Sequence, residues 1–186
     1  MNRPDDAPPT DEQDLKRRYA RTLREHGIVL QDHEAEGIEV ASFGLGDHAT
    51  TGLGLLVYVN NDRYCAKELV MLPNQTCPEH RHPPVPADVP GGPSSGKRET
   101  FRCRAGSVCL YVDGPATPEP QAEPPAGDEA YYQAAREVRL APGQQYTIEP
   151  DTWHWFQAGP DGAVISEFSS TSTDELDVFR DPRITR

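Results

Sequence analysis

The apolar positions change their spacing once along the chain. Leu15, Tyr19, Leu23 and the ring of His26 recur at three- and four-residue intervals among charged residues, which describes one face of an amphipathic helix. Thr10 and Gln13 stand at capping-box spacing and Gly27 offers a stop, so a helix is predicted over 11–26. Beyond it the apolar runs become short and are flanked by Gly, Pro or Asp: 55–59, 65–72, 99–103, 107–112, 137–140, 145–148, 154–158 and 163–169. These are strand lengths with turn punctuation, and eight or nine such strands in one chain predict an all-β fold, a barrel or jelly roll preceded by one helix.

The length of 186 residues gives room for one sizeable core. Residues 1–13 are acidic and Pro-rich and carry too little apolar surface to offset the entropy of ordering, so they are expected to form a flexible acidic tail ahead of a single domain at 14–186. Two Pro-rich stretches, 83–96 and 115–130, interrupt the strand pattern and read as long loops. From Thr173 onward, Leu176, Val178, Phe179 and Ile184 alternate with charges, as in a short docked helix or an arm across a neighbour.

Charge narrows the partners. Lys and Arg number 18 against 30 Asp and Glu, a net charge of −12, which repels nucleic-acid phosphates and anionic membrane surfaces. A small neutral or cationic ligand is not disfavoured by this charge. Neither an apolar leader nor an apolar run of transmembrane length is readable, and the four cysteines lack CxxC spacing. They read as reduced thiols in a cytoplasmic protein.

Candidate chemistry concentrates in Pro73-Asn-Gln-Thr-Cys-Pro-Glu-His80-Arg-His82. Two histidines at i and i+2 of an extended segment face the same side and can reach one metal ion. Glu99, seven residues before the turn glycine Gly106, and His154, shortly after Pro150, supply a carboxylate and a third imidazole on later strand candidates. A His/His/Glu/His set suits manganese, ferrous iron, cobalt or zinc. His26, His33 and His48 read as surface or hydrogen-bonded histidines. Cys77 and Glu79 stand at odd offsets from His80, which assigns both to the opposite face, Cys77 in a packing role. Trp153 and Trp155 have opposite parity to His154 and are expected on the outer face or at a subunit contact.

The His-x-His pair, the glutamate and the later histidine, in this order, resemble the metal motifs of the cupin superfamily. The stretch from His82 to Glu99 is longer than in that motif, and the excess is assigned to the 83–96 loop. Within cupins the sequence resembles the D-lyxose ketol-isomerases, through Lys67–His82, Lys97-Arg-Glu-Thr-Phe101, Leu140-Ala-Pro-Gly143, Trp153-His-Trp-Phe-Gln-Ala-Gly159, Val164-Ile-Ser-Glu-Phe-Ser-Ser170 and Phe179-Arg-Asp-Pro-Arg-Ile-Thr-Arg186.

The resemblance implies a cupin barrel, a divalent ion, most simply Mn2+, and isomerisation of a neutral aldose such as D-lyxose or D-mannose through a cis-enediol. It also implies a homodimer. Glu167, a carboxylate within an apolar strand, is the candidate proton-transfer base. Lys97, two residues from Glu99, and Lys67, in a similar apolar setting, are candidates to hold sugar hydroxyls and stabilise the enediolate. Two other readings use the same ligands: an iron-dependent dioxygenase, which would consume oxygen, and a non-catalytic sugar-binding cupin, which would not exchange substrate protons with solvent.

Overall fold

A computed structural model of the protein describes residues 11–89 and 92–185; the proposed tail at 1–10, with Thr10, lies outside them. The helix α1 spans Glu12–Glu25, within the predicted 11–26, so residues 12 and 13, where the helix and tail assignments overlapped, belong to the helix. Its cap is Asp11, whose side chain accepts the Asp14 backbone N–H at 2.7 Å. Gly27, at φ +82°, ends it, and the Ile28 N–H reaches back to the Leu23 carbonyl at 3.0 Å. A short helix α2 (Asp32–Glu36), absent from the sequence expectation, follows. The apolar face of α1, with Leu15, Tyr19 and Leu23 fully buried, packs with Ile38, Leu56, Val70 and Val164.

Nine strands follow: β1 (Glu39–Ala41), β2 (Leu53–Asn60), β3 (Cys65–Met71), β4 (Thr76–Arg81), β5 (Glu99–Val112), β6 (Arg136–Leu140), β7 (Gln145–Ile148), β8 (His154–Ser169) and β9 (Val178–Phe179). All pairings between them are antiparallel. The long strands β5 and β8 pair along their whole length and form the spine. The second half of β8 lies between β3 and the first half of β5, giving the order β1-β2-β3-β8-β5-β7. The first half of β8 lies between β4 and the second half of β5, giving β9-β4-β8-β5-β6.

The two sheets thus share their central strands and curl over one apolar core. Leu53, Leu55, Leu69, Phe101 and Ile165 come from the first; Leu110, Val112, Leu140 and Phe156 come from the second. This is the barrel expected from the strand pattern, with one difference. Residues 104–106 and 159–162 appeared as breaks between separate strands, whereas they are bends inside β5 and β8, where the register shifts. Gly106 (φ +68°) faces Gly162 (φ +77°) so closely that a Cβ on Gly106 would lie 1.9 Å from the Gly162 carbonyl oxygen. Glycine here permits a close crossing inside a continuous ladder rather than a turn that ends it.

The outer face of the second sheet is covered by the chain between β5 and β6. Trp155 stacks on Tyr111 at 4.0 Å between ring centroids and donates its indole N–H to the Ala134 carbonyl. Trp155 is therefore on the outer face, as its parity predicted. The 115–130 stretch is a loop, but it is anchored: Ala122 is buried, and its backbone exchanges hydrogen bonds with the Tyr111 hydroxyl. The C-terminal segment docks on its own barrel, as a one-turn helix at Asp174–Leu176 followed by β9 paired to β4. No helix among the described residues is long and apolar enough to cross a membrane.

Candidate active site

Cross-strand register assembles the site in pairs. His80 on β4 stands opposite His154 on β8, and Lys67 on β3 stands opposite Glu167 on β8. His82 follows the end of β4 and Glu99 opens β5, so these two must be joined across the 83–96 loop. The loop folds back on itself, with Val85 and Ser94 exchanging both backbone hydrogen bonds at 3.0 and 3.1 Å. Gly96, at φ +101°, closes it, and a Cβ there would sit 2.3 Å from the His82 carbonyl oxygen. Chain length between His82 and Glu99 is thereby looped out, and the two side chains meet.

One ligand atom from each of His80, His82 and His154 lies within 4.8 Å of the others. Glu99 Oε1 lies 3.2 Å from His82 Nε2 and 3.0 Å from His154 Nε2. Each ring is held through its other nitrogen. His80 Nδ1 is 2.8 Å from the Pro78 carbonyl, His154 Nδ1 is 2.9 Å from the Thr152 carbonyl, and His82 Nδ1 is 2.5 Å from Asp177 Oδ1. A ring that donates through Nδ1 presents the lone pair of Nε2, the arrangement typical of metal-ligating histidine. His154 Nε2 is buried and has no hydrogen-bond partner, because its approach to Glu99 lacks hydrogen-bonding geometry.

Beside the histidines lies a network of buried charges. Lys97 Nζ is 2.7 Å from both Glu99 Oε2 and Glu167 Oε1, and 3.7 Å from Asp174 Oδ1. Lys67 Nζ is 3.1 Å from Asp174 Oδ2, 3.4 Å from Ser172 Oγ and 3.6 Å from Glu167 Oε1. Lys67, Lys97, Glu99 and Glu167 are each at most 6% exposed. Two lysines share this region with four carboxylates, those of Glu99, Glu167, Asp174 and Asp177, and the imidazoles add no charge when they are neutral, as metal ligation requires. The excess of two negative charges equals the charge of one divalent cation.

Electrostatics follow from this crowding. Burial alone would lower the Lys97 ammonium, but Glu167, Glu99 and Asp174 outweigh it and hold the group well above its ordinary value; Lys67 is raised in the same way by Glu167 and Asp174. Both therefore stay protonated near neutral pH. Burial would raise the Glu99 carboxyl, yet Lys97 and His82 hold it well below the usual range. Burial, with His154 and His82 close by, pushes His80 down. Burial also disfavours a charged His82, but Glu99 and Asp177 together raise it to about 9.

The charged groups form part of the lining of a pocket of about 370 Å3 that opens to solvent; its apolar side includes Phe43, Leu55, Phe101, Phe156 and Phe179. Six of the seven site residues singled out in the sequence line this pocket, and the seventh, His154, is fully buried with its Nε2 3.0 Å from Glu99 Oε1. Two that were not, Asp174 and Asp177, come from the C-terminal segment, where their three-residue spacing around one helical turn aims both at the pocket. One expectation is overturned: Cys77 shares the pocket lining with His80, its Sγ 4.0 Å from His80 Nδ1. A register shift between Cys77 and His80 undoes the simple alternation from which the opposite face was inferred. Glu79 lies outside the pocket, as its parity predicted.

Comparison with known proteins gives this arrangement its context. A D-lyxose isomerase family model matches residues 122–186. The chain is 58% identical over 173 residues to the D-lyxose/D-mannose isomerase of Thermosediminibacter oceani, covering 93% of this chain and 92% of the relative. It is 54% identical over 177 residues to the D-lyxose ketol-isomerase of Cohnella laeviribosi, covering 95% and 94%. The L-ribose isomerase of Acinetobacter sp. DL28, solved with L-ribose, has the same fold at 15% identity, with a TM-score of 0.71 over 92% of each chain. That of Cellulomonas parahominis, solved without ligand, gives a TM-score of 0.70 at 16% identity over 92% of this chain and 91% of the other. The sequence identity over nearly the whole chain places the protein in the D-lyxose isomerase family of sugar isomerases, to which it belongs.

Proposed function

We propose that the protein is a divalent-metal-dependent aldose–ketose isomerase that converts D-lyxose to D-xylulose, and D-mannose to D-fructose, through a cis-enediol. The substrates are those in the names of its close relatives. The observation that carries the reading is the histidine arrangement: three Nδ1 atoms occupied, two Nε2 atoms against Glu99, and His154 Nε2 buried without a hydrogen-bond partner. A divalent cation satisfies these atoms and balances the pocket charge. His80, His82, Glu99 and His154 would hold it, and manganese suits this mixed nitrogen and oxygen set. When bound, such an ion supplies Lewis-acid stabilisation to the substrate oxygens on which negative charge develops.

The remaining steps belong to side chains of the chain itself. Glu167 takes the proton from C2 of the aldose and returns it to C1, while the proton of the O2 hydroxyl passes to O1, so the ketose forms with no net change in protons. Lys97 and Lys67, both ammonium groups, cannot serve as that base near neutral pH. They donate hydrogen bonds to sugar hydroxyls and to the enediolate oxygen, and Lys97 fixes the Glu167 carboxylate at 2.7 Å. The apolar wall of Phe43, Leu55, Phe101 and Phe156 limits water around the exchanging proton.

A homodimer and a cytoplasmic location belong to the same proposal. Four exposed apolar side chains, Val57, Tyr58, Tyr64 and Phe168, lie at the β2–β3 hairpin and the adjoining end of β8, and all four cysteines are thiols. The test of function is ketose formation from D-lyxose by chelator-stripped protein, with and without added Mn2+. Metal-dependent xylulose formation supports the proposal. Failure with Mn2+, Co2+, Fe2+ and Zn2+ alike, on D-lyxose and D-mannose, refutes it.

A further inference from the structure

The three histidines differ in what holds them. His80 and His154 each use the backbone carbonyl two residues earlier, Pro78 and Thr152 respectively, a local contact that an extended segment supplies by itself. His82 lies beyond the last residue of β4 and turns instead to Asp177, 95 residues further along the sequence. The Asp177 side chain is 3% exposed. It belongs to the segment at 172–180, whose other fastenings are independent of His82. Asn60 accepts the Ser172 N–H and donates to the Ser172 carbonyl, both at 3.0 Å. Asp174 meets Lys67, Phe179 stacks on the His80 ring at 5.4 Å between centroids, and Arg180 bonds Glu79.

We propose that Asp177 is a positioning residue for the metal centre, a carboxylate that accepts the His82 Nδ1 proton, aims Nε2 beside Glu99 and so sustains divalent-metal affinity from the C-terminal segment. The inference rests on the metal-dependent reading above. A carboxylate behind a ligating imidazole fixes its orientation and tautomer and makes the ring a stronger donor. Glu99 on the far side of the ring would otherwise compete for the same proton, since it lies 3.2 Å from Nε2. The Asp177 contact at 2.5 Å is the shorter of the two, so a ring that keeps a single proton is favoured to keep it on Nδ1 and to present the lone pair of Nε2. The fastenings at Ser172, Asp174 and Arg180 keep the segment docked when the Asp177 charge is removed, so the effect of substitution is directed at His82.

The experiment is calorimetric titration of Mn2+ into chelator-stripped wild type, Asp177→Asn, Asp177→Ala and, as control, Glu175→Gln. Glu175 is exposed on the same helical turn. The expected result is a Kd raised about 10- to 100-fold in Asp177→Ala, a smaller rise in Asp177→Asn, which keeps an acceptor oxygen, and no change in Glu175→Gln. At saturating Co2+, the visible absorption bands of Asp177→Asn are expected to shift from those of wild type, a signature that simple loosening of the segment would not produce. Melting of the metal-free proteins checks that the variants fold. Wild-type affinity together with unshifted cobalt bands in folded Asp177 variants overturns the inference and leaves the functional reading standing. A wild type that binds none of Mn2+, Co2+ and Zn2+ overturns both.

Discussion

Replacing Glu79 by Gln tests whether the C-terminal segment and the covering loop are locked to the barrel by one buried carboxylate. The Glu79 side chain is fully buried next to His80 in sequence, yet lies outside the pocket. One oxygen, Oε2, accepts the backbone N–H groups of Gln133 and Ala134, the latter at 2.9 Å; the other, Oε1, accepts Arg180 Nε at 2.5 Å. Every partner is a donor. An amide has one acceptor oxygen and one NH2, so in either orientation the NH2 confronts donors: the two loop amides or the guanidinium. The guanidinium is partly solvated and lies 4.0 Å over the Trp153 ring, so the less damaging choice keeps the oxygen on the loop.

The loss is then one charge-assisted hydrogen bond plus a donor-to-donor contact, about 1–3 kcal/mol. For a domain of this size that corresponds to a fall in Tm of roughly 3–10 °C. Thermal melting of wild type and Glu79→Gln at pH 7 and low salt, followed by circular dichroism, measures it. Glu79→Ala, which abandons the loop amides as well, is expected to fall further. Equal melting of Glu79→Gln and wild type would refute the reasoning, since it would mean that the carboxylate and its three donors contribute nothing as a set.

A buried carboxyl and a half-buried thiol away from the pocket allow two further tests. Glu68 is 5% exposed, and burial raises its carboxyl although Ser166 Oγ donates to both oxygens at 2.9 and 3.0 Å. A raised folded pKa means stability present at low pH that is lost as pH climbs through the folded value. Glu68→Gln keeps the acceptor for Ser166 without that loss, so its Tm relative to wild type is expected to rise as pH climbs from the ordinary carboxylate range through the raised folded value; a relative Tm independent of pH contradicts the argument. The Cys109 thiol is pushed up to about 11, chiefly by burial and then by the adjacent Glu137 carboxylate. At pH 8 its thiolate fraction is about 0.1%, against roughly 20–25% for a free thiol. After allowing for its greater intrinsic nucleophilicity, iodoacetamide should label it at least about tenfold more slowly in the folded than in the unfolded protein, and equal rates would refute the placement.

Much of the fold was readable because its signals are local. The α1 face, the short strands and the punctuating residues each report on a few neighbours, and the side-chain parity of Trp155 and Glu79 carried through to the structure. Where a local rule met a special backbone, it misled. Gly106 and Gly162 look like turn residues, but their meeting across β5 and β8 is a contact between distant segments. Cys77 was sent to the wrong face by the same alternation that correctly joined His80 and His82, because the register shift lies between Cys77 and His80.

The site divides in the same way. His80 and His82 announce themselves by spacing, whereas Glu99 is joined to them by a loop that the sequence shows only as an excess of proline and glycine. Asp174 and Asp177 carry no motif at all: two acids in a C-terminal segment acquire meaning only when β9 pairs with β4 and sets them over Lys67 and His82.

The central claim, that Glu167 moves a proton while a divalent ion sits on the histidines and Glu99, is tested most directly by one comparison. Xylulose formation from D-lyxose is measured for Mn2+-loaded wild type and Glu167→Gln, with metal content determined on the same samples. Glu167→Gln is expected to retain its metal and to lose about 10²- to 10⁴-fold in kcat, the usual contribution of a positioned acid–base group. A Glu167→Gln variant with full metal content and wild-type turnover would contradict it.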